Sequence, residues 1–369
     1  MYGIKKKLGF GCMRLPQDEK QDIDYDQVCK MVDIFLENGF NYFDTAHGYH
    51  GGLSEVAVNR CLTSRHAREE YMLTNKLSDN FFNSKEEIIP LFNKQLEICG
   101  VDYFDFYLMH AQNRNNYQKY KRCEAYKVAF ELKRQGKIKH VGLSFHDSAD
   151  VLDMILSENP EIEVVQIQYN YLDYDNPSVQ SKLCFDVCKK HGKKMIVMEP
   201  IKGGNLVNLP PLAKELLDKN NIKPAALALR FAATPDDIIV ILSGMSNYDQ
   251  MIDNISTMKN FVPLSEDEIK LTEDVVKIFK TQDLIGCTAC RYCIDGCVAK
   301  IPIPDYFSLL NAKKVFNDWN TNFYYSILSS KDNGKASSCI KCGKCEKICP
   351  QKLPIRDLLV EVAKTFERQ

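Results

Sequence analysis

Eight of the fifteen cysteines of this chain lie in its last quarter and form two runs of four. Within each run the cysteines are separated by two, two and three residues. Thiolates at this spacing ligate four-iron clusters. Zinc also binds C-x-x-C pairs, but two runs of four cysteines, in which a C-x-x-C pair continues to a third and a fourth cysteine, fit zinc poorly. The runs are Cys287, Cys290, Cys293 and Cys297, then Cys339, Cys342, Cys345 and Cys349.

The two runs resemble the dicluster ferredoxin module of bacteria. In that module the fourth cysteine of each run ligates the cluster held by the other run. The resemblance therefore implies one [4Fe–4S] cluster on Cys287, Cys290, Cys293 and Cys349. It implies a second [4Fe–4S] cluster on Cys339, Cys342, Cys345 and Cys297.

The residues around these cysteines predict helices and an internal repeat. Helical patterns cover 305–316 and 321–329, and the stretch 297–303 parallels 349–355, with Val298 where the second run has proline. Residues 281–369 carry 13 Lys and Arg against 9 Asp and Glu, a net charge of +4 that would offset the negative charge of the clusters. We expect these residues to form a small, mostly helical dicluster ferredoxin-like domain.

A second group of chemically useful residues lies in the first third of the chain. A carboxylate, a phenol, an amine and an imidazole follow one another as Asp44, Tyr49, Lys76 and His110. A tyrosine with its ordinary pKa of about 10 is a weak acid at neutral pH. A nearby ammonium lowers that pKa, and an imidazole can hydrogen-bond a substrate oxygen. This set predicts protonation of a carbonyl oxygen while a hydride reaches the carbon.

The elements that must position these residues alternate between strands and helices. Eight strand–helix units over about 250 residues predict a closed (β/α)8 barrel, with an open doubly wound sheet as the alternative. No G-x-G-x-x-G follows an early strand, which disfavours the open sheet. The first helix is predicted to begin with Asp26 as its cap. The predicted strands cover residues 7–15, 40–45, 71–76, 104–110, 140–145, 164–170, 194–199 and 238–244.

The order of these residues resembles the catalytic tetrad of the aldo/keto reductase family. The matching segments are Phe43-Asp44-Thr45-Ala46-His47-Gly48-Tyr49, Ser54-Glu55, Leu73-Thr74-Asn75-Lys76 and Tyr107-Leu108-Met109-His110. The similarity covers roughly residues 5–260, within a barrel domain expected over 1–280. The resemblance implies a TIM barrel that reduces aldehydes and ketones with NADPH. It implies that Tyr49 is the acid, that Lys76 and Asp44 tune it, and that His110 orients the substrate.

The resemblance also implies where the nicotinamide cofactor binds. Carried over by position, Ser144 and Gln166 would hold the carboxamide, and the loop 198–206 would cross the pyrophosphate. Phe145 replaces an Asn that is usual after the serine, and no Arg lies near Gln250, so NADPH and NADH are not distinguished. The further matching positions are Gly203, Gly204 and Leu206 in the loop and Gly244, Ser246, Gln250 and Asn254 at the adenosine site.

Composition excludes several other classes of protein. The 369 residues carry a net charge of −1, so nucleic acid or an anionic membrane is not an expected partner. No apolar run reaches the roughly 20 residues of a membrane span, and the N-terminal lysines precede no apolar segment. We therefore expect a cytoplasmic protein with a small-molecule carbonyl substrate.

Two functions are consistent with this combination. In the first, the barrel reduces a carbonyl compound with NAD(P)H and the clusters are structural or modulatory. In the second, the chain is an electron-transfer enzyme that links the clusters to a barrel-bound flavin or to a redox partner protein. A hydride carries two electrons and a cluster exchanges one, and flavins normally connect the two regimes. The sequence shows no flavin motif, although barrels can bind FMN without one.

Overall fold

The computed structural model describes residues 2–20, 22–176, 179–281, 284–287, 291–316, 320–330, 332–349 and 353–367. Cys290 lies outside the described residues. The described parts of Met1–Asp175, Val179–Leu206 and Ile222–Lys270 form one compact unit. Those of Asn176–Ser178, Val207–Asn221 and Leu271–Gln369 form the second.

The first unit is a closed barrel of eight parallel strands. Each strand pairs with its successor in the sequence, and β1 closes the barrel by pairing with β8. The predicted (β/α)8 barrel is therefore confirmed, and the open sheet is excluded. The strands are β1 Leu8–Gly11, β2 Tyr42–Asp44, β3 Met72–Leu77, β4 Phe104–Gln112, β5 Ile138–Phe145, β6 Val164–Gln168, β7 Lys194–Met198 and β8 Ile238–Ser243.

The barrel strands are buried on both faces, which explains their nearly continuous apolar sequences. All six residues of β8 are buried. The interior is tightly packed at Gly142 on β5, where an added Cβ would lie 2.5 Å from the carbonyl oxygen of Val164. The apolar cluster that fills the interior comprises Tyr42, Phe106, Leu108, Val164, Ile196, Ile239, Val240 and Leu242.

Helices follow the strands and cover the outside of the barrel. Asp24, and not Asp26 as predicted, caps the first helix, because its side chain accepts a hydrogen bond of 3.0 Å from the Gln27 N–H. Asp26 lies inside the first turn, where its negative charge interacts favourably with the positive end of the helix dipole. The described helices of this unit are α1 Tyr25–Glu37, α2 Leu53–Val58, α3 Ile88–Cys99, α4 Arg114–Arg122, α5 Ala125–Arg134, α6 Ala149–Glu158, α7 Ser181–Lys190, α9 Pro224–Ala233, α10 Tyr248–Met258 and the beginning of α11 Glu266–Lys280. Helix α8 Pro211–Lys219 comes between α7 and α9 in the sequence but belongs to the second unit.

Among the described residues, the second unit contains α8, the later part of α11 and five further helices. Helices begin at Ile303 and Ile355, the last residues of the two stretches that resemble each other in sequence. Tyr306, Phe307 and Leu359 are fully buried in a separate core. In the part of the chain that the structure describes, no helix is long and apolar enough to cross a membrane. The five helices are α12 Tyr292–Asp295, α13 Ile303–Phe316, α14 Asn320–Ser330, α15 Lys344–Ile348 and α16 Ile355–Phe366.

Candidate active site

Polar side chains lie close together at the carboxyl end of the barrel, because the side chains of each strand point alternately into and out of the barrel. A residue two positions beyond an interior residue also faces the interior. On β2 the interior residue Tyr42 is followed in this way by Asp44, and on β4 Leu108 is followed by His110. Active sites of such barrels lie at this end. The polar residues near the carboxyl ends of strands β2 to β6 are Asp44, Lys76, His110, Ser144 and Gln166.

Tyr49 reaches this end of the barrel from the turn that follows β2. The turn Tyr49–Gly52 reverses the chain through left-handed backbone at His50 and Gly51, with φ of 51° and 63°. The half-buried Tyr49 ring lies with its centroid 5.9 Å from that of the His110 ring, at an interplanar angle of 74°. The Lys76 ammonium lies 4.9 Å from the Tyr49 ring centroid. The structure therefore brings the predicted tetrad together.

Lys76 is the fully buried centre of this group. Its Nζ donates to Asp44 Oδ1 at 2.5 Å and to the carbonyl oxygen of Thr45 at 2.8 Å. Burial alone would lower the pKa of the Lys76 ammonium, but the charge of Asp44, with a smaller contribution from the Tyr49 hydroxyl, outweighs burial and raises that pKa. Lys76 therefore stays charged at neutral pH, and Asp44 is the residue that holds it so.

The pKa of Tyr49 differs from the sequence-based expectation. Burial raises it above the ordinary 10.0, and the opposing charge of Lys76 does not compensate. The sequence predicts that Lys76 lowers the pKa of the Tyr49 phenol toward neutral pH. Lys76 does lower this pKa, but burial raises it by more, so the predicted net decrease was wrong. The phenol consequently keeps its proton and is available as an acid.

His110 is neutral in this environment. Burial, followed by the charge of Lys76, holds the pKa of His110 well below its ordinary 6.5. Its Nδ1 lies 2.5 Å from the hydroxyl oxygen of Ser78. A Ser78 hydroxyl that donates to Nδ1 fixes the tautomer with the proton on Nε2, which can then donate to a substrate oxygen. Ser78 was not predicted from the sequence.

The directions of these two pKa shifts predict a flat pH profile for carbonyl reduction. The proton donation expected from the sequence needs a protonated Tyr49, which is lost only as the pH rises through a pKa above 10.0. It needs a neutral His110, which is lost only as the pH falls below 6.5. We expect kcat to be constant between these limits, measured under saturating substrates. A bell-shaped kcat profile centred near neutral pH would contradict these protonation states.

A buried polar network supports β3 behind Lys76. Glu55 is inaccessible to solvent and accepts hydrogen bonds from Asn75 at 2.8 Å and Gln95 at 3.2 Å. Gln95 Nε2 also donates to the Lys76 carbonyl oxygen at 3.0 Å. The other carboxylate oxygen of Glu55, Oε2, lies 2.7 Å from His47 Nδ1. Glu55 thereby connects the chain on both sides of Tyr49 to the strand that carries Lys76.

Lys76→Met is expected to lower both activity and stability. The substitution leaves the buried Asp44 carboxylate without its cation, which typically costs about 3–5 kcal/mol of unfolding free energy. Urea unfolding of the double variant Asp44→Asn/Lys76→Met is the control. It should recover much of the loss in stability but none of the activity. Equal stability of Lys76→Met and the unsubstituted protein would contradict the buried ion pair.

The two residues expected at the nicotinamide carboxamide lie side by side. Ser144 and Gln166 are register partners on β5 and β6, and both are buried. The Gln166 amide donates to Asp44 Oδ2 at 3.2 Å, and Ser144 Oγ accepts from the Ala111 N–H at 2.7 Å. Both side chains are thus fixed next to the tetrad. Phe145, which replaces the usual Asn, is buried.

The loop after β7 is shaped by left-handed residues. Gly203 and Gly204 have φ of 64° and 98°, while Leu206 is fully buried. The Lys202 ammonium donates hydrogen bonds to both carboxylate oxygens of Asp173, at 2.6 and 2.7 Å. The glycines leave an open backbone that a phosphate can approach.

Arg14 is a further cation at this end of the barrel that was not predicted from the sequence. It follows β1 and packs against Gly244, where an added Cβ would lie 3.3 Å from the Arg14 Cβ. Its charge also lowers the pKa of Glu199, although burial raises that pKa overall. Arg14 therefore lies near the loops that follow β7 and β8.

The positions expected at the adenosine site run from the end of β8 into the middle of α10. Ser246 and Gln250 are exposed, and the Ser246 N–H donates to Gln250 Oε1 at 2.8 Å. Asn254 is buried and donates to Ser243 Oγ at 2.9 Å. Asn254 therefore supports the end of β8, and the exposed pair faces solvent.

Four cysteines of the second unit line a single cavity. Cys297 of the first run joins three cysteines of the second run, in the combination that the resemblance implied. The Ile301 N–H donates a hydrogen bond to Cys297 Sγ at 3.4 Å. Four thiols spread around a cavity suit a four-iron cluster, since each thiolate binds a different iron. The four are Cys297, Cys339, Cys342 and Cys345.

The described cysteines of the other predicted set lie at the core of the second unit. Cys293 is buried, and Cys287 and Cys349 pack against the same apolar core. Cys293 and Cys345 occupy matching helices, α12 and α15, each preceded by a left-handed residue, Arg291 or Gly343. The two runs therefore share their backbone geometry at the start of these two helices.

Comparison with known proteins agrees with both units. Residues 7–277 match the model of the aldo/keto reductase family. Residues 286–354 match the model of a 4Fe-4S dicluster domain. The chain therefore belongs to the aldo/keto reductase family and carries a C-terminal, helical dicluster domain.

Similar proteins include several reductases. A glyoxal reductase of Bacillus subtilis (strain 168) is 25% identical over 211 residues, 56% of this chain and 69% of that protein. An NADH-specific methylglyoxal reductase of Escherichia coli (strain K12) is 23% identical over 320 residues, 73% of this chain and 94% of that protein. The holo form of an aldo-keto reductase from Bacillus halodurans is 26% identical with a TM-score of 0.60, covering 73% of this chain and 92% of that one.

Proposed function

We propose that this chain reduces an aldehyde or ketone with NAD(P)H at the carboxyl end of its barrel and holds two [4Fe–4S] clusters in its second unit. The observation that carries the proposal is the buried Lys76 ammonium, which contacts both Asp44 at 2.5 Å and the Tyr49 ring at 4.9 Å. This arrangement serves proton donation by a phenol, because the cation stabilises the phenolate that remains.

The proposed reaction divides between cofactor and protein. The bound nicotinamide supplies the hydride that forms the new C–H bond. Tyr49 donates its phenolic proton to the carbonyl oxygen, so that the product is the alcohol. Lys76 stabilises the resulting phenolate, and Asp44 keeps Lys76 charged. His110 donates a hydrogen bond from Nε2 to the same oxygen, which places it within reach of Tyr49.

The residues proposed to hold the nucleotide lie around the tetrad. Ser144 and Gln166 would bind the carboxamide, since Gln166 is hydrogen-bonded to Asp44 and Ser144 is its register partner on the neighbouring strand. The loop with Gly203 and Gly204 would approach the pyrophosphate, and Arg14 would add a positive charge there. Leu206, Gly244, Ser246, Gln250 and Asn254 would complete the site toward the adenosine.

Small 2-oxoaldehydes are the first substrates to test, because two of the similar proteins are named as glyoxal and methylglyoxal reductases. The protein is purified anaerobically and mixed with methylglyoxal and either NADH or NADPH. Loss of reduced nicotinamide should be saturable, with kcat of about 1 s⁻¹ or more. The reductase proposal fails if nucleotide binds but a panel of aldehydes and ketones gives no turnover.

Electron exchange with another protein is the second candidate function. The observation in its favour is the exposure of Cys342, one of the four thiols around the cavity. A cluster that served only to stabilise the fold would gain from complete burial. A flavin on the barrel would be needed to collect these electrons one at a time and pass them to the nicotinamide as a hydride.

A further inference from the structure

The edge of the four-cysteine cavity is open to solvent. Cys342 is exposed, whereas Cys293 of the other set is buried. Val298 and Ile340 border the same cavity with 64% and 66% of their surfaces exposed. Single exposed apolar residues are ordinary, but two that flank an exposed ligand suggest a surface that is covered at times.

Three lysines lie close in the sequence to the cysteines at this opening. Lys341 precedes Cys342, and Lys344 and Lys347 lie three residues apart on α15, on one helical face. All three are exposed, and none has an ion-pair partner among the described residues. The acid between them, Glu346, is bound to Arg356 at 2.7 Å. We call Val298, Ile340, Lys341, Lys344 and Lys347 the cluster rim.

We propose that the cluster rim is the docking surface for an acidic one-electron carrier protein. The proposal rests on the proposed cluster at Cys297, Cys339, Cys342 and Cys345. The carrier loses one electron and the cluster gains one, so no bond or proton changes. Opposite charges would guide the encounter, and the exposed Val298 and Ile340 would form its small apolar centre.

The positions of the lysines are less consistent with charge compensation alone or with nucleic-acid binding. Cations that only offset the charge of a cluster are expected to point toward it, but Lys341 and Lys347 are exposed and do not line the cavity. A nucleic acid would also be attracted by lysines. It would not account for the apolar residues beside an exposed thiol.

The test uses the full chain, purified anaerobically, and an acidic ferredoxin as the probe. Binding is measured by calorimetry at about 0.02 M and about 0.2 M salt. The rim variant is Lys341→Glu/Lys347→Glu. The control is Lys214→Glu/Lys364→Glu, which changes two lysines of the same unit by the same charge. Iron content and the visible spectrum are recorded for every variant.

We expect the ferredoxin to bind at low salt and to bind at least about tenfold more weakly at high salt. The rim variant should lose about tenfold in affinity, and the control should change by less than about twofold. Equal binding by both variants would overturn the proposal, as would binding of duplex DNA but not ferredoxin. Full iron without ferredoxin binding rejects the docking surface alone, whereas absence of iron rejects the proposed cluster.

Discussion

Tyr49→Phe is expected to lower kcat for carbonyl reduction by roughly 10²–10⁴-fold, which is the usual effect of losing a general acid. Phenylalanine preserves the ring that packs against His110 but removes the only proton that the proposed reaction takes from the protein. Nucleotide affinity should change little, because no proposed nucleotide contact involves the phenol. Steady-state kinetics and fluorescence titration with NADPH would measure the two quantities.

The matched control for this variant is Tyr171→Phe. The buried Tyr171 hydroxyl has no hydrogen-bond partner among the described residues, so its removal should leave both kcat and folding unchanged. Retention of full activity by Tyr49→Phe on every carbonyl tested would require a different acid. A loss in both variants would indicate general damage to the barrel.

Loss of one cluster is the expected result of replacing either Cys297 or Cys342 with alanine. Both thiols line the same cavity although they belong to different runs. Each single variant should fall from about eight iron atoms per chain to about four. The double variant Cys297→Ala/Cys342→Ala should also retain about four, because both changes affect one cluster.

The double variant distinguishes crossed from sequential ligation. If each run held its own cluster, Cys297→Ala and Cys342→Ala would remove different clusters, and their combination would leave no iron. Iron and acid-labile sulfide would be measured after anaerobic purification. Stoichiometric zinc in the unsubstituted protein, with no visible absorption, would contradict both arrangements.

The barrel could be predicted because its strands are short apolar runs separated by strongly periodic helices. Helix α4 was missed because only Tyr117 and Tyr120 of its nine residues are buried, which is too few to show a period. The cap of α1 was misplaced by two residues, since Asp24 and Asp26 are equally good caps by type. Only the hydrogen bond from Gln27 separates them.

The tetrad and the cysteines could be predicted because spacing along the chain carries their chemistry. Ser78 could not, since its partner His110 lies 32 residues away and serines after strands are common. Arg14 likewise meets Gly244 only through closure of the barrel. The net pKa shift of Tyr49 depends on how far burial exceeds the effect of Lys76, and burial is set by the three-dimensional packing.

The central claim is that the barrel transfers a hydride directly from nicotinamide to a carbonyl carbon. The most direct test uses NADH or NADPH deuterated at both C4 positions, the flavin-free protein and methylglyoxal in ordinary water. Mass spectrometry should find one deuterium, bound to carbon, in each alcohol formed per nucleotide oxidised. An unlabelled alcohol would contradict the account, because electrons that travel through the clusters would leave the deuterium behind and the carbon would take its hydrogen from water.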